Sequence, residues 1–203
     1  IKIAGEYLVI SGLEFKNGYS PTNAIIEFRL DNERIARNCT VSNCAIDGFT
    51  KPKKSDQDHW VVFWGQHNSL DHCYIAGKYN QGPTVKVFLQ GNQHVNNYHS
   101  ITNNYFGPRP RKGGPRAETI QIGASTTSMS PSHTIISDNY FDRCNGEVEV
   151  ISNKSNNCEI RNNVFFECEG SVVLRHGNYC IVDGNTFIGN VHSPFTGGVR
   201  VIN

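Results

Sequence analysis

Two glutamates, Glu147 and Glu149, are followed closely by Lys154 and then by Arg175-His176, so one stretch collects two carboxylates, an ammonium, a guanidinium and an imidazole. Groups of these types hold charged ligands and move protons, provided that they share a face. Strand alternation supplies that condition: in Glu147-Val148-Glu149-Val150 the carboxylates take one side and the valines the other. Paired carboxylates first suggest glycoside hydrolysis, but that reaction needs carboxyls flanking the scissile bond, roughly 5 to 9.5 Å apart. Two glutamates side by side on one strand disfavour it. Taken singly, an outward Glu-x-Glu is solvated surface, Lys154 among asparagines is a turn residue, and Arg175-His176-Gly177 is a strand end. The chemistry rests on their being brought together.

The elements that position them follow from a repeat. Gly12-Leu13-Glu14-Phe15, Asn43-Cys44-Ala45-Ile46, His72-Cys73-Tyr74-Ile75, Asn104-Tyr105-Phe106, Asn139-Tyr140-Phe141, Asn163-Val164-Phe165 and Asn185-Thr186-Phe187 end in apolar anchors spaced 22 to 35 residues apart. Periods of this length signal repeat architecture. Between the anchors lie short β-branched runs such as Val172-Val173-Leu174, bounded by Asn, Gly and Ser. No segment keeps a 3.6-residue apolar period with caps, which argues against long helices. The sequence predicts an all-β chain: a single-stranded, right-handed parallel β-helix over residues 1–203, with Phe106, Phe141, Phe165 and Phe187 stacked inside. Its abrupt start at Ile1-Lys2-Ile3 and its end in strand-like Val199-Arg200-Val201-Ile202 predict a piece of a longer β-helix, with further coils at one or both ends.

The longer coils must shed their extra residues as loops, around 51–59 and 107–117, and those loops would wall a groove. Aligning coils on the anchors puts Glu147 opposite Ser171, Glu149 opposite Val173 and Ile151 opposite Arg175. Thr119 and Gln121 extend the patch on the coil before, and Arg200 on the coil after. A polar stripe across several coils suits an extended polymer.

At 203 residues, 37% of them hydrophobic, the chain suits one domain with a real core. Nineteen basic against eighteen acidic residues leave a net charge of +1, so anion binding must be local rather than a property of the whole molecule. The local excess lies in Gly107–Arg116, where Arg109, Arg111, Lys112 and Arg116 meet no acid; beside the polar stripe they are expected to contact substrate carboxylates. Nucleic acid is disfavoured, because interleaved aromatics and a known module are both missing. There is no apolar run of about 18 residues for a membrane span and no charged-then-apolar leader. Seven cysteines show no C-x-x-C spacing, and Cys144 with Cys168, and Cys158 with Cys180, occupy matching repeat contexts. They are expected as buried thiols stacked on neighbouring coils. Oligomeric state is not legible here.

The chain resembles polysaccharide lyase family 6, the group that holds alginate lyases and chondroitinase B. The resemblance rests on Asn104-Tyr105-Phe106-Gly107-Pro108-Arg109-Pro110, Glu118-Thr119-Ile120-Gln121-Ile122-Gly123, Asn145-Gly146-Glu147-Val148-Glu149-Val150-Ile151-Ser152-Asn153-Lys154-Ser155 and Arg175-His176-Gly177-Asn178, in the family's order. Weaker similarity covers most of the chain from about residue 8. It implies an enzyme that cleaves a uronate-containing polysaccharide, alginate first, by β-elimination, with Lys154 in the position of the base and Arg175 in that of the acid. A dermatan sulfate lyase and a non-catalytic carbohydrate-binding β-helix are the alternatives. The substrate class implies a secreted or periplasmic protein. Family members often bind calcium through an asparagine and two glutamates. The glutamates match Glu147 and Glu149, while ungapped counting back from Glu118 puts Pro115 at the asparagine position.

Elimination begins with removal of the uronate C5 proton, which is acidic only if the adjacent carboxylate is neutralised as the enolate develops. A lysine with an ordinary value of about 10.4 is also a poor base near neutrality unless positive charge stands nearby. Calcium on Glu147 and Glu149 is one source of that charge, since the ion takes 6 to 8 oxygen ligands. Arg116, next to the lost asparagine position, is the other, because a guanidinium clamps a carboxylate with two parallel hydrogen bonds. Arginine keeps its proton, so Arg175 is expected to polarise the leaving oxygen while water or a tyrosine delivers the proton. His176 is expected to hold the target uronate or share the base role, and Gln121 to bind substrate.

Overall fold

Strands of only two to five residues, many of them ended by a left-handed corner, wind the chain through successive coils of a parallel β-helix. The computed structural model describes residues 1–202. Three sheets of seven strands run the length of the solenoid, and every pairing within them is parallel. The first sheet contains Val85–Val87, Ile120–Ile122, Glu149–Asn153, Ser171–Arg175 and Val199–Ile202. The second carries the anchor motifs, and the third includes Ser100–Thr102, Ile135–Ser137 and Glu159–Arg161. Among the described residues only two 3-10 turns, Asn92–His94 and Ser125–Thr127, are helical.

The corner before the second sheet shows why these residues repeat. Asn43, His72, Asn103, Asp138, Asn162 and Gly184 occupy it in successive coils with φ between 50° and 65°; Asn, Asp and Gly bear that conformation best. The next residue builds an internal ladder. Asn104, Asn139 and Asn163 each donate a backbone N–H to the side-chain oxygen of the following ladder member, at 2.9, 3.0 and 3.0 Å, the last acceptor being Asn185. Their side-chain amides donate to Leu70, Ile101 and Ile136 carbonyls, so corner groups that the strands leave unpaired are satisfied without water.

Anchor spacing predicted the register of the second sheet. Phe15, Ile46, Ile75, Phe106, Phe141, Phe165 and Phe187 are in-register partners. The four rings from Phe106 onward stack with centroids 5.0, 4.7 and 4.7 Å apart. Phe141 lies between two of them, and aromatic contacts add about 0.5–1.5 kcal/mol each beyond area burial. Phe141→Leu should therefore cost about 2 kcal/mol, read as a lower urea midpoint with an unchanged slope. All seven cysteines are free and six are buried, with the Cys144 amide donating to the Cys168 sulfur at 3.4 Å as stacked thiols require.

Candidate active site

Facing away from the core, the first sheet presents one in-register row: Glu27, Val62, Lys86, Gln121, Ser152, Val173 and Arg200. Val62 and Val173 are buried although they lie outside the core cluster, because side chains and loops cover this face. Over it lies a cavity of about 370 Å³ lined by Lys86, Glu118, Glu147, Glu149, Lys154 and Arg175, together with Gln121, Pro115 and Arg116. It shares Gln57, His59 and Phe88 with a second cavity of about 400 Å³, and Pro115, Glu147, Glu149 and Arg175 with a third of about 530 Å³. The three form a groove crossing the coils, walled by the 51–59 and 107–117 loops as the coil lengths predicted.

Lys154 is placed by its neighbours. Its amide donates to the Ile122 carbonyl at 2.9 Å. Asn153 and Ser155 are wholly buried and bond to each other, Ser155 Oγ donating to Asn153 Oδ1 at 2.6 Å. Residues on either side are locked inward, and the lysine between them is left to line the groove. Arg175 extends from the next coil, where its guanidinium donates to Glu149 Oε1 at 2.9 Å. Asn153 pairs with Leu174, so Lys154 and Arg175 follow partnered residues and stand level on adjacent strands.

Glu147 accepts the Ala117 amide at 3.1 Å. Burial, followed by repulsion from Glu118, pushes its carboxyl up to about 7, and Glu149 adds to the rise. Three carboxylates thus share the cavity under mutual repulsion, and Glu118 Oε2 is buried without a partner. His59 donates from Nδ1 to the Pro83 carbonyl, and burial pulls it down to about 4, so it lines the groove as a neutral imidazole.

Several expectations need correction. The register is shifted: Glu149 pairs with Ser171, Ile151 with Val172 and Asn153 with Leu174, with a bulge between Glu149 and Ile151. The turn after Phe141 and the bulge hold extra residues that anchor counting could not place. Glu147 accordingly lies before the strand rather than on it. Val148 is exposed and Val150 buried, so the valines do not share a face, although both glutamates reach the groove.

Arg109 is not a substrate contact. It is 3% exposed, and its guanidinium donates to Thr84 Oγ1 and to the Glu118, Asn80 and Gly82 carbonyls at 2.7 to 3.1 Å, tying two coils together. Four well-placed oxygens outcompete solvent for those donors. Lys112 donates to the Gly113 carbonyl at 2.9 Å and does not line the three cavities, and neither does exposed His176. Thr119 is buried beneath the sheet. Arg111 pairs with Glu169 and lies 5.1 Å from the Phe195 ring, at the far end of the groove. Among the described residues no tyrosine lines the central cavity. Sequence reasoning missed Lys86 and Glu118; the alternation Val85-Lys86-Val87 was the available signal for the first.

The donor set does not fit calcium. Pro115 lines the cavity without a side-chain oxygen, Glu149 Oε1 is engaged by Arg175, and Glu147 Oε1 is engaged by the Ala117 amide. Among the described residues no three His, Cys, Asp or Glu side chains are grouped to hold a metal ion. Against a preference for 6 to 8 oxygens, most ligands would have to come from water and substrate.

The family described as Chondroitinase B matches residues 1–203. None of the curated proteins matches the chain. Among solved structures, the PL6 family alginate lyase AlyGC superposes on 100% of this chain with a TM-score of 0.96 and 49% identity, and 28% of that protein is covered. A mannuronic acid specific polysaccharide family 6 lyase from human gut microbiota superposes on 100% at 0.95 and 39% identity, with 46% of it covered. The PL6 family polysaccharide lyase Pedsa3628 from Pseudopedobacter saltans superposes on 98% at 0.85 and 29% identity, with 45% of it covered. The chain spans less than half the length of each.

Proposed function

This chain belongs to the chondroitinase B family, and on that premise we propose that residues 1–203 carry the catalytic face of a lyase that cleaves alginate by β-elimination. The observation that carries the reading is the placement of Lys154 and Arg175 level on adjacent coils, in one groove, with Glu149 holding Arg175. Relatives at 49% and 39% identity are described as lyases of alginate and of mannuronic acid polymer, which favours alginate over dermatan sulfate.

In this reading Lys154 takes the C5 proton of a uronate. The electron pair forms the C4–C5 double bond, and the C4–O bond to the leaving sugar breaks. Arg175 donates a hydrogen bond to the leaving oxygen, which takes its proton from water. Arg116, at the groove wall, neutralises the uronate carboxylate, so the enolate is stabilised without a metal. A polymer of this kind lies outside the cell, so the protein is read as secreted or periplasmic. Among the described residues no helix is long and apolar enough to cross a membrane.

Incubation with polymannuronate, polyguluronate and dermatan sulfate in parallel, followed by ultraviolet absorbance of the unsaturated uronate, tests the reading. Product from either alginate block supports it. Product from dermatan sulfate alone would reassign the substrate, and none from any polymer would leave a carbohydrate-binding β-helix.

A further inference from the structure

A lysine is seldom fully buried unless an opposite charge accompanies it. Lys86, on the groove side of the first sheet, is 4% exposed, and neutral oxygens meet its ammonium instead: Gln121 Oε1 at 2.6 Å and the Gly123 carbonyl. Burial pulls it down to about 7, with Glu118 drawing it up and Lys154 pushing it further down. It therefore lies within electrostatic reach of both sides of the site.

Its two contacts have separate consequences. An ammonium only donates, so it fixes the Gln121 amide with its oxygen turned to Lys86. The amide nitrogen is then left to donate to Glu118 Oε1 at 3.2 Å, while Glu118 Oε2 has no partner. Gly123 lies directly beside the base: a Cβ there would meet the Lys154 carbonyl at 3.0 Å, and Lys154 hangs from the neighbouring Ile122 carbonyl. Holding the Gly123 carbonyl therefore holds the turn on which the base rests.

Resting on the reading of the groove as a lyase site, we propose that Lys86 is a positioning residue of the elimination. Through Gly123 it sets the height of Lys154, and through Gln121 it fixes the donor that keeps Glu118 in place beside Glu147.

The test compares wild type, Lys86→Met, Gln121→Met and the double variant, in the protein at its full natural length and on the polymer the wild type cleaves fastest. Lys86→Met should lower kcat about tenfold or more with KM within about twofold and the melting midpoint maintained, since methionine relieves a buried charge. The double variant should be no worse than Lys86→Met, as expected for residues acting in one chain of contacts. Wild-type kcat in Lys86→Met would overturn the proposal. So would losses that multiply in the double variant, or a lowered melting midpoint with kcat per folded enzyme unchanged. Should Lys86→Met not fold, Gln121→Met decides: its kcat must fall with KM held, and wild-type kcat overturns the role. An inactive wild type sinks the lyase reading itself, which separates the two failures.

Discussion

Lys154→Ala is expected to lower kcat by about 10²- to 10⁴-fold, the range a general base contributes, with the melting midpoint unchanged. The backbone at this position does not depend on the side chain that is removed. Its amide bond to Ile122 and the bond between Asn153 and Ser155 survive the substitution. The half-buried lysine stem contributes little to the core, which lies on the other side of the sheet. Loss of turnover with an intact fold separates chemistry from folding, and KM should change little because the ammonium is not the polymer's main anchor. The measurement is initial ultraviolet rate at saturating polymer beside a thermal melt. Turnover comparable to wild type would remove Lys154 from the mechanism.

The solenoid was legible because its repeat is enforced by backbone chemistry. A left-handed corner recurs along the second sheet, followed in the last four coils by an internally bonded asparagine, and both leave a signature in residue type: Asn103-Asn104, Asp138-Asn139 and Asn162-Asn163. Stacked phenylalanines then set the register of the second sheet without ambiguity. Lys154 and Arg175 were legible as a pair, but their relative height was not. The turn at 145–148 and the bulge at Val150 change the count between anchor and groove, and a period carries no information about residues that leave it.

Side-chain destination was the least legible property. Arg109 and Arg116 occupy one cationic loop and look alike in sequence, yet Arg109 turns inward to four oxygens while Arg116 remains at the groove wall. Lys86 was overlooked for the converse reason: one lysine in a strand reads as solvated surface until the loops that cover it are in place.

That division within the loop makes the source of the neutralising charge testable. Exhaustive chelation should leave turnover nearly unchanged, whereas Arg116→Ala should abolish it, because the developing enolate loses its partner at the carboxylate. The physical case starts from Pro115, whose missing oxygen cannot be restored by side-chain motion, and from Glu149, already bound to Arg175. A calcium ion entering here would have to displace that guanidinium or share one glutamate with it. Arg116, next in sequence and at the same wall, brings a permanent positive charge and two parallel donors to a uronate without disturbing either glutamate. Arg116→Lys should recover only part of the activity, since an ammonium keeps the charge and loses the bidentate geometry. The opposite pattern, loss on chelation, recovery with added calcium and an active Arg116→Ala variant, would refute the arginine account. A calcium-soaked crystal supplies the independent reading: oxygen ligands at about 2.3 to 2.6 Å including Glu147 and Glu149 would return the charge to a metal.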